Sequence, residues 1–228
     1  MILQIETATT SCSVALAKDG NVLAFKEVNG RNLHAEVITR FIETILAEVG
    51  ASYNDLDAIA VSCGPGSYTG LRIGISTAKG LCFALDKPLI AIETLAAMAD
   101  GVIGMEEYST KKNLLLCPMI DARRMEVYTA IFDTKGAAIK STAAEIIDEN
   151  SFADILKTNK ILFFGDGAEK CFNVLKQNPN ALYLPEFVNS AKDLTRKAVD
   201  KFAAKDFEDV AYFEPYYLKD FIAGKKAV

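Results

Sequence analysis

Apolar and polar positions along this chain fall into short, bounded blocks. Ile2 to Glu6 is an apolar run ending on an acid, Thr7 to Ser11 is a hydroxyl-rich turn, and Cys12 to Ala17 is apolar again. Lys18-Asp19-Gly20-Asn21 reads as an Asp-Gly hairpin turn into a third strand, Val22 to Val28. Asn32 is placed to cap a helix in which Leu33, Val37, Ile38, Phe41, Ile42, Ile45, Leu46 and Val49 recur at helical spacing, until Gly50 ends it. That stripe is wide enough to face a sheet on one side and a second protein on the other.

The chain is organised around Leu56 to Leu85. A buried strand (Ala58 to Val61) leads into Gly64-Pro65-Gly66-Ser67-Tyr68, where Gly64 and Gly66 free the backbone and Pro65 fixes one angle. Ser67 or Thr69 can cap a helix from about Gly70 to Leu85. Glycine inside a helix costs roughly 1 kcal/mol relative to alanine. Gly70 and Gly74, one turn apart, are therefore expected to clear a strip for a backbone or a ligand. Leu71, Ile75, Ala78, Cys82 and Leu85 form an apolar stripe beside it, with Arg72, Ser76, Lys79 and Phe83 on other faces. The spacing matches neither a P-loop nor Gly-x-Gly-x-x-Gly, so the turn alone proves no phosphate chemistry.

Pro88 to Ile92 reads as another strand, Glu93 to Asp100 as a short helix, and Gly101 to Lys112 loses its periodicity, as a lobe boundary does. The opening pattern then returns. Leu114 to Ile120 ends on Asp121, a polar turn leads to Glu126 to Phe132, and Asp133-Thr134-Lys135-Gly136 turns into Ala137 to Ile139. Ile161 to Phe164 with Gly165-Asp166-Gly167 echoes the central strand and its glycine turn. Two such echoes in the same order predict a duplicated two-lobe α/β chain of the actin-like (ASKHA, ribonuclease H-like) kind. The expected units are residues 1–103, a smaller lobe 104–190, and a helix and tail, 191–228, packing back. The helix spans Ala191 to Ala204, and Val210 to Leu218 is too apolar to hang free.

Composition narrows the chemistry. Half of the 228 residues are hydrophobic and the net charge is −5, which gives no footprint for unaided nucleic-acid binding. No apolar run reaches membrane-spanning length and the N-terminus enters a strand at once, so the expected location is cytoplasmic. The five scattered cysteines read as buried free thiols. With one histidine, His34, a site of several imidazole ligands is excluded; a capping or surface role is expected of it. Thr7-Ala8-Thr9 after Glu6 lacks the glycine that lets a backbone approach phosphate.

Several motifs together resemble the TsaB (YeaZ) family, bacterial partners of TsaD in making threonylcarbamoyladenosine on tRNA. They are Ile5-Glu6-Thr7-Ala8, Leu33-His34-Ala35-Glu36, the run Gly64 to Gly74, Ala78-Lys79-Gly80-Leu81 and Pro215-Tyr216-Tyr217-Leu218. The resemblance implies an actin-like body without catalysis of its own and with no metal or cofactor, a nucleotide being possible only at the interface with TsaD. Implied partners are TsaD, the ATPase TsaE and, in isolation, a second copy, with tRNA met only through the complex and no membrane. TsaD carries metal on a His-x-x-x-His helix; the matching positions here are Thr94 and Met98. The family docks through its two N-terminal-lobe helices. This nominates Leu33, His34, Val37, Phe41, Leu71, Gly74, Ile75 and Ala78 as a shared homo- and heterodimer surface beside the glycine turn (Gly64, Gly66, Gly70), with the helix faces left open. Two other classes stay open: an actin-like ATPase or phosphotransferase using Glu6 or Asp121, and a metallopeptidase.

Overall fold

The computed structural model describes residues 1–30, 32–109 and 111–219, so the last nine residues of the expected tail lie outside the described residues. The first five strands are β1 (Ile2–Glu6), β2 (Ser11–Lys18), β3 (Asn21–Asn29), β4 (Ala58–Gly64) and β5 (Leu89–Glu93), in sheet order β3-β2-β1-β4-β5. The second sheet repeats that walk with β6 (Leu114–Asp121), β7 (Glu126–Asp133), β8 (Ala138–Ile146), β9 (Lys160–Phe164) and β10 (Ala181–Leu184), in order β8-β7-β6-β9-β10. In each sheet the three opening strands are antiparallel and the last two join in parallel. Parallel joins need crossovers, and the helices between them supply these.

Helices α1 (His34–Glu48) and α2 (Tyr68–Leu85) cover one face of the first sheet, over Leu3, Ile5, Val14, Leu16, Ile59 and Val61. Helix α3 (Thr94–Ile103) follows the first sheet but sets Leu95, Met98, Ala99 and Val102 against Leu114, Leu116, Ile120 and Phe164 of the second. A short α4 (Glu106–Ser109) follows, then α5 (Ala153–Leu156) and α6 (Ala168–Leu175) in the second half. Helix α7 (Thr195–Ala204) returns the exchange, its Ala198 and the Leu194 just before it packing on Ile2, Ala58, Ala60 and Ile90 of the first sheet. Each half thus lends its last helix to the other, which joins the cores of the two lobes.

Several boundaries differ from expectation for physical reasons. Asn32 does not cap α1: it has φ +61° and Leu33 holds the N-cap position without a side-chain bond. The segment 191–204 is a 3-10 turn (Ala191–Leu194) before α7, not one helix. Strand β8 runs to Ile146, well past Ile139.

Candidate functional site

The glycine turn and the start of α2 are closed by the chain's own β1–β2 turn. Ser67 caps α2 by accepting from the Gly70 amide at 3.2 Å, and the Ser67 amide donates to the Ala8 carbonyl at 2.6 Å. A Cβ on Gly66 would collide with the Ala8 carbonyl, one on Gly70 with the Thr7 carbonyl, and one on Gly74 with the Thr7 hydroxyl. The cleared strip exists, and Thr7-Ala8 fills it. Two carbonyl oxygens therefore stand at the positive end of the helix, where an anion would otherwise be held.

His34 locks the same turn from the other side. Its ring is buried, with Nε2 2.9 Å from the Thr9 carbonyl and 3.2 Å from that of Ser11, so the ring donates to these acceptors. Glu6, 1% exposed, completes the unit: its Oε1 accepts from the Ala8 amide at 2.6 Å and the Ser62 hydroxyl at 3.0 Å. Burial pushes the Glu6 carboxyl up to about 7 against the lowering effect of those bonds. Its side chain lies on the face covered by α7, beside Gln4, which accepts from Thr195, and Ser13, which accepts from the Ala191 amide.

Most of the residues nominated from the sequence as a docking surface lie inward in this chain. Leu71, Gly74, Ile75 and Ala78 form the inner face of α2, and Val37 and His34 are likewise buried; only Leu33 and Phe41 keep partial exposure. The reason is that sheet and β1–β2 turn together take up Gly70, Leu71, Gly74, Ile75, Ala78 and Cys82 of α2. What α2 presents outward is Arg72, Ser76, Gly80, Phe83 and Ala84, with Phe83 86% exposed. On α1 the outward residues include Glu36, Thr39, Arg40 and Glu43.

The apolar tail also returns, to the first lobe. The Tyr216 amide donates to the Cys63 carbonyl at 2.8 Å, and the Tyr216 carbonyl lies where a Cβ on Gly64 would be. Tyr217 stacks on Tyr68 at 4.7 Å and accepts from Arg72 Nε at 3.2 Å, while the Arg72 guanidinium covers the Tyr68 ring at 4.3 Å. Lys79 Nζ donates to the carbonyls of Ala211 and Phe213.

Between the lobes lies a cleft of about 1230 Å³, bounded by the β1–β2 turn, the start of α2, the β6–β7 turn and the end of the tail. Its second-lobe wall carries Asp121, Arg123, Arg124 and Asp166. Asp121 pairs with Lys170 at 2.5 Å and accepts from the Arg123 amide, and Asp166 accepts from the Asp121 amide at 2.9 Å. Burial pushes the Asp166 carboxyl up. Glu6 is not part of the cleft wall, so the two acids that mark the repeat do not converge. Thr94 and Met98 are buried on α3, the Met98 methyl packing against Gly165; a hydroxyl and a thioether replace any imidazole pair. All five cysteines are free and buried, and burial raises each thiol, to about 12 for Cys12, Cys63, Cys82 and Cys117 and about 11 for Cys171. Among the described residues no helix is long and apolar enough to cross a membrane.

Comparison with known proteins accords with this geometry. The family model described as "TsaD: tRNA N6-adenosine threonylcarbamoyltransferase" matches residues 29–213. The tRNA threonylcarbamoyladenosine biosynthesis protein TsaB of Escherichia coli is 34% identical, over 99% of this chain and 97% of that protein. The structure of YeaZ from Pseudomonas aeruginosa superposes with TM-score 0.79 at 26% identity, covering 95% of this chain and 99% of that one. An activator of 2-hydroxyisocaproyl-CoA dehydratase from Clostridium difficile, solved with ADPNP, shares the fold at TM-score 0.51 and 10% identity, covering 91% of this chain and 98% of that chain. The chain belongs to the TsaB (YeaZ) family of TsaD-like proteins, with the duplicated actin-like fold.

Proposed function

We propose that this chain works in tRNA threonylcarbamoyladenosine biosynthesis as a non-catalytic partner of a TsaD-type transferase. The pathway follows from family membership. The absence of catalysis is supported chiefly by one observation: Thr7 and Ala8 fill the anion position at the head of α2. A nucleotide phosphate there would have to expel two carbonyls that β1 and Glu6 hold in place. The chain on this reading holds no cofactor of its own, and a nucleotide enters only at the contact with TsaD. It meets TsaE and tRNA within that complex in the cytoplasm, and pairs with a second copy when alone.

The docking surface in this reading is the outer face of α2 with its neighbour α1, centred on Phe83 rather than on the inward positions. An aromatic ring this exposed on a helix of small outward residues is suited to a close helix–helix contact. Reconstituting tRNA modification with this chain, TsaD, TsaE and the pathway's substrate-forming enzyme, each omitted in turn, tests the role. Full modification without this chain would overturn it, as would steady ATP turnover by the pure chain. Phe83→Asp should weaken TsaD binding at least tenfold in a calorimetric titration with unchanged thermal unfolding; unchanged affinity refutes the surface.

A further inference from the structure

At the end of the second sheet opposite the cleft, two loops separated in sequence close on each other. The parallel pairing of β6 with β9 sets Leu114 beside Lys160, and the Lys160 amide donates to the Asn113 carbonyl at 2.9 Å. This brings Lys111 and Lys112 alongside Lys157 and Lys160 around a pocket of about 380 Å³, whose wall also holds Asn113 and Asn180 and, among the described residues, no acid. The floor is fixed: Asn180 Nδ2 donates to the Leu156 carbonyl at 2.8 Å and Asn159 Nδ2 to the Thr158 hydroxyl at 2.9 Å.

Lys111 is partly neutralised by Glu107 at 3.2 Å and Lys157 by Asp154 at 2.6 Å, both outside the pocket. Lys112 and Lys160 have no ion-pair partner among the described residues and are exposed. Four lysines gathered at one pole of a chain of net charge −5 make a local positive field that the whole-chain charge conceals. Ammonium groups on flexible stems, with side-chain amides between them, suit phosphodiester oxygens and read no base sequence.

We propose that this lysine pocket is a contact for the phosphate backbone of tRNA when the chain is assembled with TsaD. The proposal rests on the pathway reading above and adds to it the residues that touch RNA. Two unpaired cations are too few to hold RNA alone, so the contact adds to a surface the partner supplies.

The test is anisotropy of a labelled tRNA titrated with the TsaD complex of this chain, at several salt concentrations. Lys112→Glu with Lys160→Glu should weaken binding about tenfold at low salt and make the slope of log affinity against log salt shallower by about 2. Lys18→Glu with Lys205→Glu, an equal change at exposed lysines that do not line the pocket, should leave both unchanged. Equal loss in both pairs, or no loss at Lys112 and Lys160, overturns the proposal. Thermal unfolding and TsaD affinity are measured on the same variants, and Lys112→Gln with Lys160→Gln reports the slope should reversal disturb folding. If the wild-type chain adds nothing to tRNA modification, the pathway reading itself fails, which is a separate outcome.

Discussion

Replacing Glu6 by Gln should flatten the pH dependence of stability. The Glu6 carboxyl is 1% exposed, its Oε1 accepts two hydrogen bonds, and its Oε2 has no protein partner. Folded Glu6 therefore keeps its proton to about pH 7, against an ordinary 4.5. Its contribution to stability is complete below pH 4.5 and falls by about 1.4 kcal/mol per pH unit between the two values. Above pH 7 it is lower by about 3 kcal/mol, a large share of the stability of a typical domain. Gln keeps the carbonyl acceptor and cannot ionise. Its amide replaces an unpartnered oxygen, which shifts the whole curve down by about 1–3 kcal/mol without tilting it. Urea unfolding at half-unit steps from pH 5 to 8 reads the slope apart from that offset. Asp193 also contributes: burial, with the Glu6 charge adding to it, pushes its carboxyl up to about 7, although Lys192 opposes this. Asp193 is raised at least as far from its ordinary 3.8 as Glu6 is from 4.5, so the two carboxyls contribute comparable shares. The wild-type decline should therefore shrink by up to about half in Glu6→Gln and further once Asp193→Asn is added, leaving the part due to Asp166 and Asp100, whose carboxyls burial also raises. A Glu6→Gln slope equal to that of the wild type would refute the burial argument.

Two glycine substitutions in α2 should move stability in opposite directions. Gly70→Ala drives a methyl into the Thr7 carbonyl and should cost about 1–3 kcal/mol, whereas Gly80→Ala, with nothing within 4 Å, should gain up to about 1 kcal/mol in thermal unfolding. Tyr217→Ala removes the stack on Tyr68 and the acceptor for Arg72, so limited proteolysis should cut the tail near residue 217 several-fold faster while the core stays intact. Arg196→Ala strips the main partner from Asp100, whose side chain is 3% exposed, leaving Lys197 at 3.9 Å. It should cost about 2 kcal/mol in denaturant unfolding, and adding Asp100→Asn should recover most of that.

Much of the fold was legible because duplication leaves paired punctuation. Glu6 and Asp121 each end a central strand, and Asp19-Gly20 and Asp133 to Gly136 each turn a hairpin. The elements that escaped have weak patterns. Strand β8 is an edge with mostly polar or small residues, β10 has four residues, and α6 has two turns. The tail was readable because Val210 to Leu218 is apolar enough to require a surface. The orientation of α2 was not, since a glycine notch looks the same in sequence whether it admits a partner or the chain's own turn. His34 escaped for a related reason: what turns it inward is a pair of carbonyls, Thr9 and Ser11, that no side-chain pattern records. The lysine pocket was invisible because its two halves meet only through the β6–β9 pairing.

The inward notch also explains why a partly exposed helix carries so much glycine. Gly70 and Gly74 give up helix propensity, and Gly66 leaves space in the turn before them, so that β1, the turn after it and α2 close to backbone contact. That closeness places Ala8 within reach of both Glu6 and Ser67, so carboxyl, turn and helix cap form one hydrogen-bonded unit. The Ser67 and Gly70 amides at the head of α2 are thus paired within the chain, unlike those of a phosphate loop, which stay unpaired until an anion arrives. With its notches filled by the chain's own turn, α2 leaves Ser76, Gly80, Phe83 and Ala84 outward, while the outward Arg72 also holds Tyr217 of the tail. Outward side chains that are small, apart from Arg72 and Phe83, lose little freedom when another helix lies against them, which is the ground for placing the proposed docking surface there.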